Sequence, residues 1–167
     1  MDLYDQIEST RFLGVEFLSW LWFRVSAGRS VFELDGQPLE VEFDNQMTFE
    51  TTLAETERTR LMGGAPSESP EALQAMRCGK VVTVAKLRLR REDREYSFVL
   101  NARAMSIASA KIPAVLSKQD DDRFYERMDL LSELESSLQG LFGVFLKIRL
   151  ERWQHELEAM REWVQAS

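Results

Sequence analysis

The chain has one cysteine, Cys78, and one histidine, His155, in 167 residues. A lone thiol closes no internal disulfide and leaves redox chemistry without a second sulfur, which agrees with a reducing compartment. A lone histidine among Glu151, Arg152 and Glu158 reads as a solvated helix residue rather than a metal ligand or a general base. Long apolar runs are missing too. The longest, residues 17–23, is broken by Ser19 and falls far short of the roughly 20 residues that a bilayer-spanning helix needs. The first residues are acidic and lack the basic and apolar regions of a secretory leader, so a cytoplasmic protein is expected. Gly63-Gly64 lacks the Lys-Ser/Thr ending of a phosphate loop, and no G-x-G-x-x-G occurs. Asp120-Asp121-Asp122 lacks the spaced oxygens and the glycine of a calcium loop and reads as a charged helix start. These absences lead to the expectation of a non-catalytic protein with no cofactor and no metal.

What is present is a globular composition, 44% hydrophobic and 29% charged, enough for one α+β domain over residues 1–167. Over residues 5–24, Ile7, Phe12, Val15, Leu18, Leu21 and Trp22 recur at helical spacing, and Phe17, Trp20 and Phe23 widen the stripe. Such aromatics could stack bases, but among leucines they read as core or as a subunit seam. The period then changes. Val31, Phe32 and Leu34, followed by Leu39, Val41 and Phe43, predict a β-hairpin around a turn of about four residues. Residues 47–61 alternate as one or two further strands, and the stretch 47–80 is expected as a protruding subelement. Ser69-Pro70-Glu71 opens a short helix that ends near Gly79.

Residues 81–91 give the clearest strand, with Leu87 and Leu89 on one face and Lys86, Arg88 and Arg90 on the other. Glu92-Asp93-Arg94 turns the chain into a return strand through Tyr96, Phe98 and Leu100. After Pro113 an apolar stripe runs from Phe124, Met128 and Leu131 to Phe145 and Ile148, interrupted by Gly140 and Gly143, and a last helix carries Trp153, Leu157, Met160 and Trp163. The expected architecture is an antiparallel β-sheet or hairpins flanked by an aromatic N-terminal helix and long C-terminal helices.

Charge is segregated. The whole chain carries −7, yet residues 76–118 hold ten basic and three acidic side chains, a local +7 against −14 elsewhere. One cationic face on an acidic body is the reading that favours a polyanion, because a ligand meets the local field. The candidate phosphate-binding residues are Lys80, Lys86, Arg88, Arg90, Arg91 and Arg94, joined by Arg58, Arg60 and Arg103. The other reading of the same residues is the solvated face of an amphipathic hairpin on a protein-interaction or dimerisation module.

The segment Phe12-Leu13-Gly14-Val15-Glu16-Phe17-Leu18-Ser19-Trp20-Leu21-Trp22-Phe23 resembles a signature of the recombination-associated protein RdgC family. Gly79-Lys80-Val81-Val82-Thr83, Tyr96-Ser97-Phe98-Val99-Leu100 and Asp122-Arg123-Phe124-Tyr125-Glu126-Arg127-Met128 fit as well, and the likeness covers mainly the C-terminal half of longer members. The resemblance implies a bacterial, nucleoid-associated, cytoplasmic protein that binds double-stranded DNA with little sequence preference. It also implies a homodimer, often ring-shaped, that restrains the RecA recombinase through DNA. It implies no enzymatic activity.

Overall fold

The computed structural model describes residues 3–51 and 57–166, with side chains from residue 13 onward. The fold is α+β. Helix α1 (Leu3–Ser26) leads into β1 (Val31–Leu34), β2 (Gln37–Thr51) and β3 (Arg58–Met62). A 3₁₀ turn (Pro66–Glu68) and α2 (Pro70–Arg77) precede β4 (Lys80–Arg91), β5 (Arg94–Asn101) and β6 (Ser106–Lys111). Two helices, α3 (Asp120–Glu151) and α4 (Trp153–Ala166), close the described chain. The strands pair antiparallel, in the order β1-β2-β4-β5-β6. Strand β2 is long enough to take β1 along its first half and β3 along its second.

Alternation along β2 and β4 sorts the sheet into two faces. Leu39, Val41, Phe43, Met47 and Phe49 of β2 and Ala85, Leu87 and Leu89 of β4 are buried with Phe17, Leu18, Trp20, Leu21 and Trp22 of α1. The aromatic stripe is therefore core and offers no exposed stacking groove. Its polar edges are satisfied: Trp20 Nε1 donates to Glu156 of α4 at 3.2 Å and Trp22 Nε1 to the Ser67 carbonyl at 3.0 Å. Helix α4 packs back on this cluster, with Trp163 edge-on to Trp22 and Met160 buried. Ile7 and Phe12 of the expected stripe lie outside the residues whose side chains are described.

Three expectations need adjustment. The first hairpin turns on two residues, Asp35 (φ 52°) and Gly36 (φ 76°), both left-handed, because that turn follows the twist of the strands better than a four-residue loop. Within the stretch 47–80, Met47, Phe49, Ala72 and Ala75 are buried, so the chain does not stand clear of the body at those positions. Leu53, expected in a strand, lies outside the described residues. Finally, the α3 stripe is divided: Leu134, Leu141, Phe145 and Ile148 are buried, whereas Phe124, Met128 and Leu131 are exposed, as is the neighbouring Tyr125. No helix among the described residues is long and apolar enough to cross a membrane.

Candidate nucleic-acid interface

The face of the sheet away from the helices carries Lys86, Arg88 and Arg90 of β4, as their alternation requires. Strand β2 is built on the same rhythm with the opposite charge, and its register sets Glu40 against Arg90 and Glu42 against Arg88. Arg90 reaches Glu40 at 3.0 Å and Glu95 at 3.3 Å. Arg88 lies 3.3 Å from Glu42, 3.4 Å from Asp44 and 3.6 Å from Glu95. Lys86 Nζ is 3.1 Å from Asp44. Burial acts to raise the Asp44 carboxyl, but hydrogen bonds from Lys86 and the Asn45 amide, with the charges of Lys86 and Arg88, hold it below the usual range. Pairs this exposed contribute little to stability. Their larger effect is on the field, because four carboxylates surround three cations. The continuous positive surface expected along β4 is not formed there.

The other candidates divide by location. Arg94 donates to Glu133 of α3 at 2.7 Å and Arg91 to the Gln37 side chain at 3.0 Å. Lys80 lies on the opposite face of the sheet. An extra residue at Thr83 between two rungs of the β2–β4 ladder shifts the alternation. Lys80 Nζ consequently donates to Thr59 Oγ1 at 2.8 Å and pairs with Glu57 at 3.5 Å.

Arg58, Arg60 and Arg103 do come together. Strand β3 pairs Arg58 with Glu50 and Arg60 with Thr48, so both arginines stand on the outer face by the period of two. Arg103 arrives from the other side of the sheet, in the turn after β5. There the Asn101 Oδ1 accepts the backbone N–H groups of Arg103 and Ala104 at 3.1 and 3.2 Å, a side-chain turn that aims the guanidinium back over the strands. Glu50, only 7% exposed, lies between them. Its Oε1 accepts from Arg58 Nε at 2.8 Å, with Arg58 Nη2 also 2.8 Å away, and its Oε2 accepts from Arg103 Nε at 3.0 Å. Arg60 has no ion-pair or hydrogen-bond partner among the described residues. The three guanidiniums and Glu50 line an open depression of about 320 Å³ floored by Thr48 and Thr83, with a surplus of two positive charges. Its guanidinium donors suit an anion held at the surface.

No protein-family model matches the chain, and no curated protein matches it. What the site can hold follows from its own geometry.

The carboxylates of β2 were the residues that sequence reasoning missed. Leu39-Glu40-Val41-Glu42-Phe43-Asp44 alternates as regularly as Lys86-Leu87-Arg88-Leu89-Arg90, and reading the two strands as neighbours would have revealed the ladder. Counting charge along the chain could not, because the partners lie some 40 to 50 residues apart. His155 is exposed on α4 and Cys78 is exposed at the end of α2.

Proposed function

We propose that this chain is a non-catalytic, sequence-independent DNA-binding protein of the RdgC type, associated with recombination and acting on the RecA recombinase through the DNA it occupies. The observation that carries the reading is the convergence of Arg58, Arg60 and Arg103 on an outer sheet face where a single carboxylate opposes them. Phosphate contacts made there hold a duplex without reading its bases. The resemblance of residues 12–23, 79–83, 96–100 and 122–128 to the family supplies the recombination context.

The test is a fluorescence-anisotropy titration of unrelated duplexes over a range of salt. Three arginines release about three counterions, so log K should fall against log salt with a slope of about −2.7, whereas all nine candidate cations together would give about −8. Arg60→Glu with Arg103→Glu should reduce affinity at least tenfold, and Arg90→Ala should leave it within about twofold. Absence of binding at 50 mM salt, or a double variant that binds as well as the parent, would sink the reading.

A second reading, a protein-interaction or dimerisation module, rests on a different observation. Phe124, Tyr125, Met128 and Leu131 form an exposed apolar stripe on the first turns of α3, with exposures of 38–66%. Contiguous apolar surface of this kind marks contact sites more often than scattered single residues do. Light scattering that finds only a monomer at 100 μM or so would count against self-association by this stripe, since a weaker encounter would not persist in the cell.

A further inference from the structure

We infer that the Arg58–Arg60–Arg103 depression is a receptor for one dianionic phosphate monoester, and that on nucleic acid it seats the terminal phosphate of a strand end. The inference rests on the nucleic-acid reading and goes past it, because internal diesters carry one charge and a monoester carries close to two above its second ionisation at pH ~6. The site supplies a matching surplus. Three guanidiniums face one carboxylate, and both oxygens of that carboxylate are already occupied.

The manner of occupation matters. Glu50 takes Arg58 by its Nε and Nη2 edge and Arg103 by Nε. Among the described residues the side chains of Arg58 and Arg103 have no partner other than Glu50. Arg60 keeps all of its donors. A tetrahedral phosphate with three terminal oxygens offers a planar guanidinium the two-point contact that guanidinium geometry favours. A diester has only two such oxygens and leaves one positive charge of the site without a counterpart. Glu50 is a positioning residue: buried and doubly engaged, it fixes the direction of two guanidiniums that would otherwise sample many rotamers.

Anisotropy of the full chain with one duplex, carried either with 5′-phosphates or with 5′-hydroxyls at 0.15 M salt, tests this. The phosphorylated duplex should bind about tenfold more tightly at pH 8, and the preference should fall below about threefold at pH 5, where the monoester becomes a monoanion. Arg60→Ala should remove the preference. Glu50→Gln adds positive charge to the site, so a purely electrostatic site would gain affinity for the 5′-phosphate; loss of the preference instead identifies positioning. Equal affinity for the two duplexes would overturn the inference and leave general DNA binding standing. A chain that takes inorganic phosphate, seen as saturable movement of the Arg Nε–H resonances, but neither duplex would keep the monoester site and reject nucleic acid as its source. Preference for a phosphoserine peptide over the phosphorylated duplex would overturn the strand-end assignment.

Discussion

Gly14 shows why one position in the aromatic segment has to lack a side chain. A Cβ placed there would lie 2.0 Å from the Ala102 carbonyl oxygen and 2.9 Å from Met105 Sδ, so the α1 backbone rests directly on the turn that follows β5. Backbone cannot yield as the tip of a side chain can. Gly14→Ala should therefore cost about 3 kcal/mol or more in urea unfolding, at or beyond the usual range for overpacking. It should also displace Arg103, the neighbour of Ala102, and so weaken DNA binding in the folded fraction. The other members of the segment have equally local reasons. Glu16 holds Arg149 of α3 at 2.8 Å, and Trp20 and Trp22 bury rings whose N–H groups find acceptors. Gly140, by contrast, faces only the flexible end of Leu34, and Gly143 faces open space.

Glu133 is the residue that links acidity to stability. Burial acts to raise its carboxyl, and hydrogen bonds from the Tyr96 hydroxyl and from Arg94 outweigh burial, leaving the carboxyl below its ordinary 4.5. Burial and the same carboxylate raise the Tyr96 hydroxyl, which stays protonated as the donor. A depressed carboxyl contributes stability in full above 4.5, and that contribution is lost as pH falls through the lowered value. Glu133→Gln should thus cost about 1–3 kcal/mol at pH 7 and less at pH 3, measured as denaturation midpoints at the two pH values. An equal loss at both would show that the charge is irrelevant.

At the scale of the element, most strands and helices were legible from the sequence alone, because their periods are written in neighbouring residues. The alternation of 81–91, the Ser69 cap that accepts the Ala72 N–H, and the start of α3 at Asp120 all follow from local signals. Strand β6 was not legible. Ser106–Lys111 is exposed throughout and so lacks the apolar alternation that reveals a strand; only its pairing to β5 makes it one. The charge ladder escaped for the opposite reason. Each strand was readable, but their adjacency is a tertiary fact. If the β2 carboxylates do mask β4, Glu40→Gln with Glu42→Gln should uncover Arg88 and Arg90. DNA affinity at low salt should then rise several-fold with a stability change under about 1 kcal/mol. Unchanged affinity would show that those arginines are turned away from any bound duplex.

At the scale of the molecule, an anionic body with a small cationic depression approaches a polyanion slowly and holds it by few contacts. Such a protein gains from having two sites on one ligand, since linked binding multiplies weak affinities. The exposed stripe on α3 gives a direct check of that arrangement. Tyr125→Asp with Met128→Asp, both on exposed positions, should leave the fold intact. If copies associate through α3, these changes should convert a dimer to a monomer by light scattering and lower the apparent DNA affinity at least tenfold. A dimer that survives them is held elsewhere.

The extra residue at Thr83 has a further effect, as a phase corrector within β4. By parity alone Lys80 belongs with Lys86, and the interruption between the Val82 and Val84 rungs is what parts them. A ladder that absorbed Thr83 as an ordinary rung would turn Val82, now fully buried, out into water and swing Lys80 round to the side of Glu50. Hiding one valine is worth about 1.5–3 kcal/mol. That greasy contact thereby rations the cations admitted to the arginine depression.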